Sequence, residues 1–513
     1  MSGTRSLSVA VRGVLRRAVE VYRTEPETAQ WLRHQLDRLD EPLRVAIAGK
    51  VKAGKSTLLN ALVGEQIAPT DAGECTRVVT WYRDGRSPKI VMHPKDGSPT
   101  TLPVRREHGA LVIDLDGTSA DELNRLVVDW PSQSLRTATL IDTPGIASMS
   151  AENSQRALTF LTPDDDTPAE ADAVIYLMRH LHASDAEFLE SFRDQGVARA
   201  TSVNTIAVIS RADEIGGGRL DAMFSAKTIA RRYRSEPALR GLCQNVVPVA
   251  GLLAQTGRTM RQAEFTALAE LARAPRKETE ALLLSADRFA RAEPSPSLPS
   301  LSREVRGDLL DRFGLFGIRL SATLIRQGTD DPSALAAELV RRSGLDELRQ
   351  VLTTQFTERR DLLKARSALL ALDQVLRGDA RVDTTPLMGE VERILAGAHD
   401  FAELRLLSAL RSGAVTFPTD VLEEAERLLG GTGTAPAVRL GLPTSAGPAE
   451  VRRAALDVLG RWQRRAENPM SGRAASDASR VVVRTCEGML AAAEPDEPHP
   501  SVSGTAVNGS VDQ

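Results

Sequence analysis

The sequence is poor in cysteine and in aromatic residues, and each shortage excludes a class of protein. Its three cysteines, at positions 75, 243 and 486, lie far apart and form no CxxC pair. That spacing argues against a disulfide framework or a zinc site and fits a reducing cytosol. Aromatic residues make up 4% of the 513 residues, and the net charge is −3. Because no basic stripe is interleaved with aromatic side chains, nucleic acid is not expected as a partner.

Long apolar runs are also missing. No stretch of about 18 apolar residues occurs, so no membrane-spanning helix is predicted. The N-terminal segment has neither an uninterrupted apolar core nor a clear cleavage site, and its pattern predicts an amphipathic helix rather than a signal peptide. Alanine, leucine, arginine and glutamate are abundant instead, which is typical of long helices.

Lysine is scarce too, and the few lysines are concentrated in one place. Of the 65 lysines and arginines only eight are lysine, and three of these fall between positions 50 and 55. Residues 49–56 (GKVKAGKS) match the phosphate-binding loop G-x-x-x-x-G-K-[ST], between a strand-like run, 43–48, and a helix-like run, 57–63. Lys55 is expected to reach the β- and γ-phosphates, and the Ser56 hydroxyl is expected to hold Mg²⁺. The nucleotide-binding residues predicted here are Gly49, Lys50, Val51, Ala53, Gly54, Lys55, Ser56 and Thr57.

A second motif, DTPG at 142–145, follows another strand-like run. A carboxylate at a strand end can anchor Mg²⁺, and a glycine shortly after it can offer its N–H to the γ-phosphate. We therefore predict that Asp142 joins Ser56 in the metal site and that Gly145 is catalytic. Thr143 and Pro144 are predicted to be nucleotide-binding.

A third motif, SRAD at 210–213, resembles the guanine-specifying pattern [NT]KxD. The Asp213 carboxylate can accept hydrogen bonds from the N1–H and 2-amino groups of guanine, whereas adenine lacks that donor pair. Arg211 can stack its planar group on the base or ribose, as lysine does. Ala250 and Gly251 lie where a further loop would touch the base. The predicted ligands are therefore GTP and GDP.

One threonine is expected to complete the Mg²⁺ shell and orient the attacking water. It should lie in the segment 68–77 (APTDAGECTR). Thr76 is our prediction for this metal-binding and catalytic residue. Thr70 is the alternative, and Thr80 is expected inside a strand.

Hydrolysis also needs charge stabilisation from another source. The residue after DTPG is Ile146, not the glutamine that orients water in many small GTPases. Lys52 lies three residues before Lys55, in a loop that wraps the β–γ bridge, where a cation could act like an arginine finger. A solvated lysine is the alternative.

The overall pattern predicts an α/β unit followed by helices. Strand-like and helix-like runs alternate up to residue 251, which indicates a doubly wound, mostly parallel sheet. Helical patterns follow and indicate a bundle. The predicted regions are N-terminal helices at 1–41, an α/β nucleotide domain at 42–255, an elongated helical neck and stalk at 256–493, and a disordered tail at 494–513. Predicted strands are 78–83, 89–93, 111–115, 139–142, 173–178, 205–210 and 245–249; predicted helices are 56–63, 118–130, 185–194, 220–235, 261–292, 301–328, 333–378 with a break at 343–344, 387–411, 419–429, 449–467 and 472–493.

Taken together, these motifs and the long helical half resemble the dynamin superfamily, and within it the bacterial dynamin-like GTPases of the isoniazid-inducible, actinobacterial type. The resemblance rests on residues 49–64, 69–80, DTPG and SRAD. It implies GTP hydrolysis with Mg²⁺, and dimerisation through the GTPase face or with a related dynamin-like chain. It also implies binding of anionic lipids through a stalk-tip loop at the cytoplasmic face of the membrane, and remodelling, fusion or repair of that membrane. The N-terminal helix would join C-terminal helices in a neck bundle.

The resemblance also gives Lys52 a role. In guanylate-binding relatives the matching position carries an arginine that acts in cis, and in dynamins proper it carries a serine that helps to bind a monovalent cation. We hypothesise that the Lys52 charge replaces that cation.

Lipid contact would have to come from a loop of the helical half. Three segments combine apolar residues with a nearby arginine, as insertion beside anionic headgroups requires. They are 315–318 (LFGI), 414–417 (AVTF) and 438–442 (VRLGL). Bundle core or simple linker is the alternative for each.

Two other functions remain open. The chain could be a soluble regulatory GTPase whose helical half binds protein or RNA, or a non-hydrolysing scaffold that pairs with a related subunit. Intact Lys55, Ser56, Thr76 and Asp142 argue against loss of hydrolysis. The size of the helical half favours the membrane function.

Overall fold

The structure is a computed structural model. It describes residues 2–70, 77–107, 109–145, 171–182, 185, 186, 189, 204–236, 239, 242–293, 295–378 and 384–492. Helices and strands are numbered below in chain order over these residues.

A nine-stranded sheet forms the centre of the α/β unit. The strands are β1 (Leu43–Gly49), β2 (Thr80–Asp84), β3 (Lys89–Pro94), β4 (Thr100–Leu102), β5 (Arg105–Glu107), β6 (Ala110–Val112), β7 (Leu123–Trp130), β8 (Ala138–Asp142), β9 (Ala173–Met178), β10 (Thr205–Ser210) and β11 (Asn245–Val249). Their order across the sheet is β11-β10-β9-β1-β8-β2-β7-β3-β4, and β5 and β6 form a separate pair. From β11 to β8 all neighbours are parallel. The predicted mostly parallel α/β sheet is therefore confirmed.

The central strands are buried along their whole length. Every residue of β1, β9 and β10 is buried. A parallel sheet has helices on both faces, so such strands are rich in valine, isoleucine and alanine and do not alternate with polar residues. At the edge of this region the direction changes, because β2 runs antiparallel to β8.

The predicted helix at 118–130 is wrong. A 3₁₀ turn, Ala120–Glu122, leads into β7, which lies between β2 and β3 in the sheet. Branched residues dominate its centre, and Val127 and Val128 are both buried because the strand is covered on both faces. The predicted strand at 111–115 is reduced to β6, outside the main sheet.

A 3₁₀ segment, Ala212–Gly217, follows β10, and α-helices form most of the remaining regular structure. They are α1 (Ser2–Val21), α2 (Pro26–Arg38), α3 (Lys55–Val63), α4 (Gln133–Thr137), α5 (Ala222–Ser235), α6 (Gly251–Arg258), α7 (Gln262–Arg273), α8 (Arg276–Leu282), α9 (Ala286–Arg291), α10 (Arg303–Arg326), α11 (Pro332–Arg342), α12 (Leu345–Leu352), α13 (Arg360–Gly378), α14 (Thr385–Gly397), α15 (His399–Ser412), α16 (Thr419–Leu428), α17 (Pro436–Arg439), α18 (Pro448–Ala466) and α19 (Arg473–Ala492). A π-helical turn, Thr353–Thr357, follows α12. None of the helices in the described ranges is both long and apolar enough to cross a bilayer.

Two of the predicted long helices are divided. The segment 261–292 forms α7, α8 and α9. Pro275, which cannot continue a helix, stands just before α8, and the Ser285 side chain caps the start of α9. The segment 387–411 forms α14 and α15, with the extended backbone of Ala398 between them. The break at 343–344 is confirmed, since α11 ends at Arg342 and α12 begins at Leu345.

The helices pack in three groups. Helices α1 and α2 share a core with α13, α14 and the first half of α15. The second half of α15 packs with α16 to α19. Helices α6 to α11 form a layer beside the sheet, and Leu345, Leu348 and Phe356 enter the core of the sheet itself. Part of the helical half is thus built onto the α/β unit. The predicted domain limits stay a prediction, and the predicted tail lies outside the described residues.

In the three segments predicted to contact lipid, most apolar side chains are buried or pack against a hydrophobic core. Phe316 and Ile318 are buried within α10, so the prediction for 315–318 is wrong. Phe417 packs edge-on against Trp462 at 5.6 Å between ring centroids. Leu440 is buried just after α17. Each segment contributes to a hydrophobic core, which is the alternative that the sequence left open.

A buried charge cluster joins the first helices to the sheet. The Asp172 carboxylate, immediately before β9, accepts hydrogen bonds from Arg38 at 3.2 Å, from the Arg44 N–H at 2.9 Å and from Lys364 at 3.4 Å. The side chains of Asp172 and Lys364 are each only 2% exposed. Burial lowers the pKa of Lys364, while Asp172 raises it. The cluster ties α2 and α13 to the starts of β1 and β9.

We expect the substitution D172A to lower the free energy of unfolding by about 3–5 kcal/mol, because it leaves two buried cations without a counter-charge. Chemical denaturation measures the effect. The exposed Asp37 on α2 provides a matched control, and D37A should change stability by less than about 0.5 kcal/mol. K364M added to D172A should recover part of the loss. A D172A protein as stable as D37A would contradict the role of the cluster.

Candidate functional site

The phosphate-binding loop joins β1 to α3 as the motif predicts. A Cβ on Gly49 would lie 2.5 Å from the Leu177 carbonyl oxygen of β9, so only glycine allows the two strands to approach here. Gly54, with φ +91°, is the N-cap residue immediately before α3. The Lys55 ammonium donates to the Gly49 and Lys50 carbonyls at 3.3 and 3.4 Å. Burial lowers the pKa of Lys55, and Asp142 raises it.

Ser56 and Asp142 come together as predicted. The Ser56 hydroxyl donates to Asp142 Oδ2 at 2.6 Å. The other carboxylate oxygen, Oδ1, is buried and has no hydrogen-bond partner among the described residues. Burial raises the pKa of Asp142, while Lys55 and Ser56 lower it. A hydroxyl beside a buried, half-satisfied carboxylate is a donor set that suits Mg²⁺, which prefers oxygen ligands.

The rest of the DTPG segment is fixed against the P-loop. The Thr143 hydroxyl donates to the Ile47 carbonyl of β1 at 3.0 Å, and Pro144 is buried. A Cβ on Gly145 would lie 2.9 Å from Val51 Cα. Thr143 therefore holds the motif to β1, and the missing side chain of Gly145 lets it touch the loop.

A small cavity of about 160 Å³ lies beside the P-loop. Its lining includes Ala53, Thr57, Arg211, Asp213 and Gly251. Burial raises the pKa of the Asp213 carboxyl to about 6. The SRAD motif and the P-loop thus face one space, as guanine recognition requires.

Arg211 and Ala250, which are both predicted to bind the nucleotide, differ in how they are placed at this cavity. The guanidinium of Arg211 pairs with Glu214 at 2.8 Å, so it is not free to stack unless that pair opens. Ala250 does not line the cavity; its backbone N–H donates to the Ser343 carbonyl at 2.8 Å, which fixes the start of α6.

The lysine and the three threonines considered for a role in hydrolysis differ in exposure and in the element that carries them. Lys52 is exposed and has a left-handed backbone, with φ +61°. Thr70 is exposed as well. Thr80 lies in β2, paired with Asp142 in the antiparallel register, as expected for a strand residue. Thr76 and Ile146 lie outside the described residues.

Sequence reasoning missed one acidic residue that holds the P-loop. The Asp185 side chain is only 1% exposed, and its Oδ1 lies 3.1 Å from the Lys50 ammonium. It also accepts the Tyr176 hydroxyl at 2.7 Å and the His182 N–H at 3.0 Å. Burial and this hydrogen bond raise the pKa of Tyr176. A single aspartate outside any motif gives no local signal of such a contact.

A second residue missed is Asn60, on α3. Its side-chain oxygen accepts the N–H groups of Ile67 and Ala68 at 2.9 and 2.8 Å, and its amide donates to the Ala68 carbonyl at 2.9 Å. These bonds fix the start of the segment in which the catalytic threonine is predicted.

Comparisons with known proteins identify several similar chains. The profile of the dynamin family matches residues 45–211. Over 492 residues the chain is 44% identical to Isoniazid-induced protein IniC of Mycobacterium tuberculosis, covering 95% of this chain and 99% of that protein. It is 33% identical over 121 residues to the Bacterial dynamin-like protein of Nostoc punctiforme, 21% of this chain and 18% of that protein. A solved structure of an oligomerised bacterial dynamin pair aligns with 95% of this chain and 80% of its own, with 13% identity and a TM-score of 0.32.

The similarity to IniC extends over nearly the whole of both chains, so it includes the helical half as well as the nucleotide motifs. The family resemblance inferred from the motifs is confirmed. The chain belongs to the dynamin family, and it is a GTPase.

Proposed function

We propose that this GTPase uses Mg²⁺, dimerises through its GTPase face or pairs with a related dynamin-like chain, and couples turnover to remodelling, fusion or repair of the cytoplasmic membrane. It would be peripheral on the inner face of that membrane. The observation that carries the proposal is the convergence of Lys55, the Ser56–Asp142 pair and Asp213 at one edge of the sheet. Dimerisation and membrane coupling rest on membership of the dynamin family.

The P-loop would bind the phosphates of GTP. Its backbone N–H groups and the start of α3 attract anions, and Lys55 supplies a point charge to the β- and γ-phosphates. Ser56 and Asp142 would hold Mg²⁺, which when bound neutralises charge that develops on the phosphates. The Gly145 N–H would donate to the γ-phosphate. Thr76 remains our prediction for the residue that orients the attacking water.

Lys52 would supply charge stabilisation, which is needed because Ile146 stands where many small GTPases carry a water-orienting glutamine. Its exposed side chain and left-handed backbone support this role, because a non-glycine residue in that conformation carries a strain that proteins keep mainly at functional positions. A fixed positive charge near the β–γ bridge stabilises the transition state more than the ground state.

Lipid contact would come from the turn between α18 and α19 instead of the three segments first predicted. Met470 in this turn is 89% exposed, the highest value among the large apolar side chains of the described residues. Arg464, Arg465 and Arg473 flank the turn in sequence. An exposed apolar side chain between arginines suits the interface of an anionic bilayer.

We expect K52A to lower kcat for GTP by about tenfold to a hundredfold with little change in KM, because the charge is used mainly in the transition state. K52R should keep most of the activity. If Lys52 replaces a bound cation, K52S should become dependent on added potassium or sodium, whereas the wild type should not. Steady-state turnover measures all four proteins. A K52A enzyme with the wild-type rate would disprove the role.

We expect GDP affinity to fall as the pH drops below about 6. Above that pH the Asp213 carboxylate is ionised and can accept from the base; below it the protonated group cannot, so Kd should rise about tenfold per pH unit. Titration calorimetry measures the effect, and circular dichroism at each pH checks the fold. D213N should bind GDP weakly at every pH. Equal pH profiles for D213N and the wild type would contradict guanine recognition by Asp213.

We expect GTP turnover per molecule to rise with protein concentration and again with anionic liposomes. M470D should abolish most of the liposome effect and keep the concentration effect, because it places a negative charge at the lipid surface. L456D provides the control: Leu456 is also an exposed apolar residue, at 49%, but lies on α18 away from the turn. Turnover flat in both variables would favour the soluble regulatory GTPase. Equal losses in M470D and L456D would exclude the turn.

A further inference from the structure

The loop that carries Asp213, residues 211–218, consists of 3₁₀ turns that are interrupted at Ile215 and Gly216. Residues 211–218 end in three consecutive glycines, Gly216, Gly217 and Gly218, with φ values of 65°, 74° and 70°. Glycine loses more conformational freedom on folding than any other residue, so such a segment costs free energy to hold in one shape. A carboxylate that must meet two donors of one base needs a loop held from outside.

Two contacts hold this loop from outside: Glu214 pairs with Arg179 after β9 at 3.2 Å, and α10, which lies beyond all the nucleotide motifs, binds its end. The Arg319 guanidinium donates to the Gly217 and Gly218 carbonyls at 3.1 and 2.6 Å. On its other side it donates to the Leu283 and Leu284 carbonyls at 3.0 and 3.2 Å. Among the described residues no carboxylate forms an ion pair with Arg319, so its charge is directed at backbone carbonyls. One side chain thus ties the end of the 211–218 loop to the end of α8.

A break in α10 brings its backbone close to Asp213. Gly314 interrupts the helix with φ 62° and ψ 171°, a conformation that is open almost only to glycine. A Cβ on Gly314 would lie 3.8 Å from Asp213 Oδ2 and 3.7 Å from the side chain of Leu252 in α6. The Thr256 hydroxyl of α6 donates to the Arg312 carbonyl just before the break. The helix therefore meets both elements that border the base cavity.

We propose that α10 is a positioning element for guanine recognition and that Arg319 is its main positioning residue. Arg319 fixes the 211–218 loop so that the Asp213 carboxylate keeps the direction that the N1–H and 2-amino donors of guanine require. The inference rests on the proposed guanine recognition by Asp213. It adds a determinant of base specificity that lies outside the recognised motifs, about a hundred residues further along the chain.

The test compares GTP with ITP, which lacks the 2-amino group and so removes one of the two donors to Asp213. In the wild type, KM for GTP should be at least about tenfold lower than KM for ITP, the effect of one hydrogen bond to a charged group. In R319A, KM for GTP should rise about tenfold. The ratio of KM for GTP to KM for ITP, called the GTP/ITP ratio below, should therefore rise toward one. The kcat should change little, because Arg319 contacts none of Lys55, Ser56 and Asp142.

Arg326 on the same helix provides the matched control. It donates to the Ala272 carbonyl at 2.8 Å and to the Thr279 hydroxyl at 2.9 Å, which lie outside the lining of the cavity. R326A should lower the melting temperature as R319A does, yet keep the wild-type GTP/ITP ratio. R319K keeps the charge but lacks the planar fork, so its ratio should lie between those of R319A and the wild type.

The outcomes separate this inference from the proposed function. A wild type that uses GTP and ITP equally would overturn guanine recognition by Asp213, and this proposal with it. A wild type that discriminates, together with an R319A enzyme of unchanged ratio, would overturn only the role of Arg319. If R319A does not fold, R319K decides: a ratio of KM for GTP to KM for ITP that lies closer to one than in the wild type supports the proposal, and the wild-type ratio overturns it.

Discussion

Parallel pairing of β1 with β8 on one side and β9 on the other brings the P-loop and the DTPG motif to one edge of the sheet. In parallel strands the carboxyl ends meet at one edge of the sheet, and the loops that follow them meet there too. Ile47 is in register with Asp142, which brings that carboxylate to Ser56 although 86 residues separate the two. A slip of one residue would turn the Asp142 side chain to the opposite face of the sheet. The proposed phosphate and metal sites therefore depend on this register, and the proposed base site depends in addition on the pairing of β9 with β10.

The chain uses arginine far more often than lysine, and many of its arginine side chains connect distant parts of the structure. Arginine side chains from the helical half repeatedly bind backbone carbonyls at the ends of other elements. Arg349 donates to the Leu62 carbonyl at the end of the P-loop helix, at 3.0 Å, and Arg359 donates to the carbonyls of Leu429 and Gly430. A planar guanidinium can reach two carbonyls at once, whereas an ammonium acts as a point charge. Three of the eight lysines stand in the P-loop, and one of them, Lys55, would place its point charge beside phosphate.

The sequence predicted the parts of the structure that have a local signature. The strand, loop and helix around Lys55, the DTPG and SRAD motifs and the mostly parallel sheet could all be recognised, because each needs particular residues at a fixed spacing. Contacts between distant segments could not. Asp185 reaches Lys50 over 135 residues, and neither carries a motif for the other. The apolar residues of 315–318 were ambiguous for the same reason, since a buried face and a lipid-facing one have the same composition until the packing is known.

The Asp172 cluster has a mechanical consequence. It binds the starts of β1 and β9, which are adjacent strands. The other ends of these strands lead into the P-loop and into the segment that contains Asp185. Extended strands resist compression and stretching along their length, and each of these spans about 20 Å at the usual rise per residue. A displacement of α2 and α13 along the strand direction would therefore be transmitted through the two strands toward the proposed phosphate site. The first helices and that site are thus mechanically connected, although they lie at opposite ends of the same central strands.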